Sequence, residues 1–176
     1  MTKAETTPGS KSPEVVKIPK STETGKGRPI RFAVIHCSAS NYPQHDNIET
    51  IRAWHKERGF KDVGYHFYIR RNGLIEIGRP LDGDGILEAN EIGAHTLGVN
   101  LESVGICLGG VDEFTEAQFT SLSEVIDTIQ ATDISLEAIA GHNYFTTLKT
   151  CPNFDWREWV SANYPDLLPP DKSGKE

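Results

Sequence analysis

The sequence predicts one α/β domain in which helices flank a mixed central β-sheet. Short apolar runs rich in β-branched residues alternate with amphipathic helical patterns, which is typical of a sheet covered by helices. One pair of strands is joined at an Asn-Gly turn and must be antiparallel, so a purely parallel sheet is excluded. The length of 176 residues suits one core rather than two.

The first strand and the first helix are predicted within residues 31–58. Residues 31–36 (RFAVIH) form a short apolar run, typical of a buried strand that ends at its histidine. Asp46 and Asn47 are suitable N-caps for a helix that continues to Arg58, where Gly59 is a natural stop. The side chains predicted to face inward lie along one helix stripe: Ile48, Ile51 and Trp54.

A hairpin and a further strand are predicted next. Residues 64–79 read as two strands joined at Asn72 and Gly73, because Asn-Gly favours the positive φ angles of a tight hairpin turn. Residues 104–108 (VGICL) are another buried strand.

The last part of the domain is predicted to contain two helices around one strand. Residues 115–118 (TEAQ) match the capping-box pattern and open a helix. Residues 138–140 form a short strand that leads into His142, and residues 155–158 cap a final helix that carries Trp156, Trp159 and Val160. The inward-facing side chains of the first of these helices are Phe119, Leu122, Val125, Ile126 and Ile129.

Both ends of the chain are predicted to be flexible, which leaves residues 31–164 as the folded domain. Residues 1–30 contain four of the ten prolines and carry a net charge of +3, whereas the rest of the chain carries −10. A stretch of this composition buries too little apolar surface to offset the entropy of ordering it. Residues 165–176 are predicted to form a second, shorter tail.

The composition excludes several classes of protein. No run approaches the 18 apolar residues of a membrane-spanning helix, and the first twenty residues lack the apolar block of a secretory signal. Three cysteines are too few for a disulfide framework, so we expect synthesis in a reducing cytoplasm. The net charge of −7 argues against a protein whose main affinity is for a nucleic-acid backbone.

Two histidines and one cysteine are candidate metal ligands. His36 and His142 each follow a predicted strand, so both imidazoles are expected at the rim of one sheet. Cys151 follows closely enough after His142 for a loop to return its sulfur to that imidazole. Two imidazoles and one thiolate leave one position of a tetrahedral zinc ion open for water, which is the pattern of a catalytic site. Spacing alone also permits hydrogen-bonded structural histidines.

The other histidines and cysteines have simpler interpretations. We predict that His45 and His55 are solvated. Cys37 and Cys107 fall within apolar strands, where cysteine usually acts as a small buried hydrophobic residue. Because adjacent strand residues point to opposite faces, Cys37 is not expected to share a metal with its neighbour His36.

Four blocks of sequence carry a family resemblance. They are HCSAS (36–40), RAWHKERGFKDVGYHFYIRRNGLIEIGRP (52–80), GAHTLGVNLESVGICLGG (93–110) and GHNYFTTLKTCPNFDW (141–156). Together they resemble the zinc-dependent N-acetylmuramoyl-L-alanine amidases, in particular the T-seven-type phage lysozymes. Peptidoglycan recognition proteins and bacterial wall-recycling amidases are wider relatives. The resemblance covers about residues 31–160 and implies the single mixed-sheet domain of this family.

The resemblance implies roles for six residues. His36, His142 and Cys151 match the ligands of one zinc ion per chain. Tyr65 and Lys149 match the catalytic tyrosine and lysine, and His95 matches a histidine that lines the substrate groove. The implied reaction is attack of zinc-activated water on the amide between N-acetylmuramic acid and L-alanine of the stem peptide. Strand alternation adds that Tyr65 and His66 face opposite ways, one toward the site and one toward the core or a place behind the site.

The resulting expectation is an endolysin that lyses the cell wall. We expect a monomer made in the host cytoplasm that reaches peptidoglycan once the membrane is permeabilised, with no membrane or nucleic-acid partner. Three alternatives stay open: a cytoplasmic muropeptide-recycling amidase, a pure binding module, and an amidase that also inhibits the phage RNA polymerase. Cys151 speaks against the binding module. The basic residues 1–30 are a candidate contact for the wall or for a partner.

Overall fold

Strands and helices alternate along the folded chain. The computed structural model describes residues 27–172. No helix within these residues is long and apolar enough to cross a bilayer. The strands are β1 (Arg28–Pro29), β2 (Phe32–Cys37), β3 (Phe67–Ile69), β4 (Ile75–Ile77), β5 (Ile86–Leu87), β6 (Ser103–Leu108) and β7 (Ala138–Gly141). The helices are α1 (Ile48–Glu57), α2 (Glu116–Gln130), α3 (His142–Phe145) and α4 (Trp156–Asn163).

The main sheet is mixed and has the order β4-β3-β6-β2-β7. Strands β3, β6, β2 and β7 are parallel to one another, and β4 is antiparallel to β3. Strands β1 and β5 form a separate antiparallel pair. The predicted mixed sheet is therefore confirmed, with the hairpin as its antiparallel edge.

Helices cover both faces of the main sheet. Helices α2 and α4 pack on one face, where Leu122 and Val160 join Ile35 and Ile106 in the larger core. Helix α1 packs on the other face, where Ile48 and Ile51 meet Tyr68 and Cys107. Because strand side chains alternate between faces, the same strands supply both cores.

The predicted helix caps are confirmed. The Asn47 side chain accepts from the Thr50 N–H at 2.8 Å, and the Asp155 side chain accepts from the Glu158 N–H at 2.9 Å. Thr115 and Gln118 form a complete capping box at the start of α2. These side chains satisfy amide groups that have no partner within their helices.

The buried Gln118 side chain also fastens α2 to the sheet. Its Nε2 donates to the carbonyl oxygens of Gly109, at 2.8 Å, and Ile69, at 3.2 Å. Its Oε1 accepts from the Thr115 N–H. One amide therefore joins the helix start to the ends of β3 and β6.

The hairpin turns at the predicted place with a different geometry. Only Gly73 takes a positive φ, of 86°, and its N–H donates to the Arg70 carbonyl at 2.8 Å. The Arg70 N–H in turn donates to the Leu74 carbonyl. The connection is thus longer than a tight two-residue turn, and the left-handed position falls on the glycine that tolerates it best.

Residues next to both predicted ends of the domain pack against it. Strand β1 pairs with β5, and Ile30 is buried, although residues 27–30 belong to the predicted N-terminal tail. In the predicted C-terminal tail, Leu167 and Leu168 pack against the larger core and Pro169 is buried. The average composition of a tail does not reveal that a few of its apolar residues pack against the core of the domain. The remaining tail residues, 1–26 and 173–176, lie outside the described residues.

The Gln118 amide provides a test of how α2 is held. Gln118→Leu leaves the Gly109 carbonyl without its donor, so we expect the free energy of unfolding to fall by about 1–3 kcal/mol in denaturant titrations. Gln130→Leu, at the exposed end of the same helix, is the matched control and should change that value by no more than about 0.5 kcal/mol. Equal losses in both variants would contradict the role given to Gln118.

Candidate metal centre and catalytic cleft

His36, His142 and Cys151 come together at the carboxyl edge of the main sheet. His36 lies near the end of β2, and His142 directly follows β7, which pairs with β2 in parallel. One ligand atom from each residue can be chosen so that all three atoms lie within 4.8 Å of one another. The His36 Nδ1 is 3.8 Å from the Cys151 Sγ. The cluster expected from the sequence is therefore formed by the fold.

The protonation of the two imidazoles suits metal binding. Burial lowers the pKa of His36 and of His142, assisted by neighbouring histidines at His36 and by Lys149 at His142. Both rings are therefore neutral near pH 7, which is the form that donates a lone pair to a metal.

The Cys151 sulfur is held in place by its neighbour in β2. The Cys37 backbone N–H donates to the Cys151 Sγ at 3.2 Å. The hydrogen bond with the Cys37 thiol and burial raise the pKa of the Cys151 thiol, so the thiolate needs a further positive charge. A bound metal ion supplies such a charge and deprotonates a coordinating thiol. Two nitrogen donors and one sulfur donor fit a tetrahedral metal ion with one open position.

A cleft of about 470 Å³ opens beside the cluster. Its wall includes the end of α1 and the loop that follows, with Trp54, His55, Arg58 and Phe60. No described residue that lines it carries a carboxylate. Its charged side chains are Arg58 and Lys149, and neither forms an ion pair within residues 27–172. The cleft is therefore a cationic region of an acidic chain.

Tyr65 and Lys149 both line the cleft next to the cluster. The Tyr65 ring lies 5.0 Å, centroid to centroid, from the His36 ring. Burial, and then the nearby cysteine sulfurs, raise the pKa of Tyr65, so its phenol keeps its proton near pH 7. Lys149 is exposed two residues before Cys151, and its charge acts on His142. Tyr65 is thus a proton donor, and Lys149 is a positive charge at the mouth of the site.

His95 borders the cleft from behind His36. The His95 Nδ1 is 3.0 Å from the His36 Nε2, and the side chain is only 8% exposed. The other hydrogen-bond partners of its ring are Thr96 and Ser103. The residue expected in the substrate groove therefore has its main contacts with a candidate ligand.

Tyr65 and His66 face opposite ways, as strand alternation predicts. Tyr65 faces the cleft, whereas His66 is fully buried behind His95. The His66 Nε2 donates to the Glu91 carbonyl at 2.7 Å, and its Nδ1 accepts from the Gly105 N–H at 3.0 Å. Both ring nitrogens are therefore satisfied without solvent.

The predicted solvation of His55 is wrong. His55 is 6% exposed, and its Nδ1 accepts from the Gly64 N–H at 2.8 Å. Burial lowers the pKa of His55 to about 4, with further contributions from Arg58 and Arg79. The helix pattern could not reveal this environment, because the loop after α1 folds back over the ring. His45 is half-buried and bonds to Ser40.

Asn153 is a structural residue of the site that sequence reasoning missed. Its backbone has a positive φ of 65°, and its Nδ2 donates to the Val111 carbonyl at 2.8 Å. It also contacts the Cys37 Sγ at 3.6 Å, so it ties the segment after Cys151 to the sheet edge. The available signal was the Pro-Asn pair after the cysteine, since Asn tolerates the left-handed region.

Comparisons with known proteins identify the family of the chain. A family model described as N-acetylmuramoyl-L-alanine amidase matches residues 26–154, more than half of the chain. The endolysin of Enterobacteria phage K11 is 39% identical over 136 residues, which are 73% of this chain and 83% of that protein. The endolysin of Escherichia phage T7 is 38% identical over 137 residues, which are 73% and 84% of the two chains.

A solved structure has the same fold. The endolysin amidase LysCS of Clostridium intestinale superposes with a TM-score of 0.66 and 28% identity, covering 88% of this chain and 97% of that one. The resemblance inferred from the four sequence blocks and the predicted fold class are therefore confirmed. The chain belongs to the N-acetylmuramoyl-L-alanine amidase family.

Proposed function

We propose that the chain is an endolysin that hydrolyses peptidoglycan with one zinc ion bound by His36, His142 and Cys151. The observation that carries this proposal is the meeting of these three donors at a cationic cleft, in a member of an amidase family. When bound, zinc lowers the pKa of a coordinated water to about 7 and polarises a carbonyl group. The bond cleaved is the amide between N-acetylmuramic acid and L-alanine.

Lys149 stabilises the negative charge that develops on the carbonyl oxygen. Lys149 lines the cleft two residues before Cys151 and its charge acts on His142, and no carboxylate of residues 27–172 forms an ion pair with it. Fixed positive charge at a developing oxyanion lowers the barrier more than it stabilises the neutral ground state.

Tyr65 holds a proton on its Oη and can donate it in a hydrogen bond to a bound substrate or water. Its raised pKa excludes a phenolate base near pH 7 in the protein without metal. A phenol next to His36 can orient the attacking water or protonate the leaving amine. Tyr65 therefore orients the water or supplies a proton to the amine, and Lys149 stabilises the negative charge on the carbonyl oxygen.

The cleft walls match the two chemical parts of the substrate. Trp54 and Phe60 offer aromatic surface to the sugar and its lactyl group, while Arg58 offers a cation to the carboxylates of the stem peptide. Although the chain as a whole is acidic, it binds an anionic polymer through the positive charges of the cleft lining. The proposed contact with a phage RNA polymerase stays a prediction.

Digestion of isolated cell walls tests the reaction itself. We expect mass spectrometry to detect new free L-alanine amino groups and no new sugar reducing ends. A chelator should abolish the reaction, and added zinc should restore it. New reducing ends would indicate a glycosidase and contradict the proposal. Loss of wall turbidity, compared with peptide release from small anhydromuropeptides, separates an endolysin from a recycling amidase.

Cys151→Ser tests the metal ligand set. Replacing the thiolate with a hydroxyl removes the softest donor, so we expect zinc per chain to fall and wall hydrolysis to drop at least about 100-fold. Cys107→Ala, in a buried cysteine of β6 outside the cluster, is the control for the ligand set and should keep the zinc content of the chain. Unchanged hydrolysis by Cys151→Ser would contradict the zinc mechanism.

Lys149→Met tests the oxyanion charge. We expect the rate constant for hydrolysis to fall by about 100-fold or more while zinc per chain stays constant, because only the transition-state charge loses its partner. Lys56→Met removes the same charge from an exposed position of α1 that does not line the cleft. A comparable loss in Lys56→Met would show that overall charge, not Lys149, matters.

A further inference from the structure

A contact between two buried histidines determines which ring nitrogen of His36 is available to a metal. The His36 Nε2 lies 3.0 Å from the His95 Nδ1, and the two rings are nearly perpendicular, at 88°. The opposite nitrogen, His36 Nδ1, faces Cys151. A neutral imidazole carries one proton, so only one of these nitrogens can have a free lone pair.

The proton of His36 follows from the surroundings of His95. The His95 Nε2 lies 3.4 Å from the Ser103 carbonyl oxygen, which can only accept a hydrogen bond. The Ser103 hydroxyl is also nearby, and its own proton is donated to the Val99 carbonyl at 2.7 Å. The His95 Nε2 therefore carries the proton of that ring, and its Nδ1 must accept.

The accepting Nδ1 of His95 lies 3.0 Å from the His36 Nε2, and two bare ring nitrogens at that distance would repel each other. The His36 Nε2 therefore carries the proton, which leaves the His36 Nδ1 bare on the side of Cys151. Thr96 fits this arrangement, because its hydroxyl can donate to the His95 Nδ1, at 3.0 Å, and accept from the His36 Nε2, at 3.3 Å. The chain of donors runs from His36 through His95 to the Ser103 carbonyl.

The backbone around His95 holds the ring in this orientation. The Asn100 Oδ1 accepts from the N–H groups of His95 and Thr96, at 2.9 and 2.8 Å. On the sheet side, a Cβ at Gly105 would lie 2.6 Å from the His95 ring, so only glycine leaves room for it. A Cβ at Gly93 would likewise lie 2.7 Å from that ring. The ring is clamped on several sides.

We propose that His95 is a positioning residue that fixes His36 in its Nε2–H tautomer and presents the bare Nδ1 to the metal. The role of His95 toward the metal rests on the proposed function. The tautomer itself is a property of the metal-free protein. Partners behind a ligating histidine commonly set its tautomer and change metal affinity by about 10- to 100-fold. His95 therefore acts through His36 and not on the substrate.

Nitrogen NMR of the full chain without metal tests the tautomer directly. With ¹⁵N-labelled histidine, we expect the His36 signals to show a protonated Nε2 and a bare Nδ1, and the His95 signals to show the same. A His36 ring protonated at Nδ1 would overturn the proposal. A chain with the expected tautomer that binds no zinc would support the assignment while overturning the proposed function, so the two failures are distinguishable.

Substitution of His95 tests the consequence for metal affinity. His95→Leu removes the acceptor, so we expect zinc affinity, measured by competition with a chelator, to fall about 10- to 100-fold. His95→Asn keeps an acceptor near the Nδ1 position and should restore much of that loss. His45→Leu, in a half-buried histidine outside the cleft lining, should leave zinc affinity unchanged.

Two results would overturn the role of His95 in metal binding. The first is unchanged zinc affinity in His95→Leu, and the second is an equal loss in His95→Asn and His95→Leu. Thermal unfolding of each metal-free variant identifies any that does not fold. The NMR measurement on the unsubstituted chain then decides the question.

Discussion

The parallel pairing of β2 with β7 is the constraint on which the site depends. Its register places Ile35 opposite Gly141, so the residues that follow in both strands emerge at one edge of the sheet. His36 and His142 meet there because parallel strands share their carboxyl ends. An antiparallel pairing would send the second imidazole to the opposite edge. The Cys37 N–H, one residue further along β2, then holds the Cys151 sulfur against the same edge.

Behind this edge lies a stack of neutral histidines. His36, His95 and His66 follow one another into the protein, with ring centroids 5.0 and 5.8 Å apart. Burial lowers the pKa of all three, so none brings a charge into the core. Each ring also has hydrogen-bond partners, which removes the main cost of burying a polar group. Because this support is uncharged, the positive charge of the cleft lining comes from Arg58 and Lys149.

The boundaries of what can be predicted are visible at particular residues. The caps at Asn47, Thr115 and Asp155 follow from local backbone chemistry and were predictable. The grouping of the three donor residues was predictable from the strands that place His36 and His142, from the short loop to Cys151 and from the family resemblance, but the distances between the donors were not. The burial of His55 was not predictable, because the periodicity of a helix does not show where the loop that follows it will pack. The packing of Leu167 and Leu168 was hidden for the same reason, since their partners lie elsewhere in the chain.

The sequence by itself determined the fold class, the order of the elements, the family and the identity of the candidate ligands. These properties depend on local periodicity, on capping chemistry and on short motifs, all of which are written along the chain. Only the tertiary structure decided that His95 stands behind His36 and that the cleft lining combines two cations with no carboxylate. Both depend on which side chains meet across the sheet, and in particular on the missing Cβ at Gly105, and such distances are properties of three-dimensional packing.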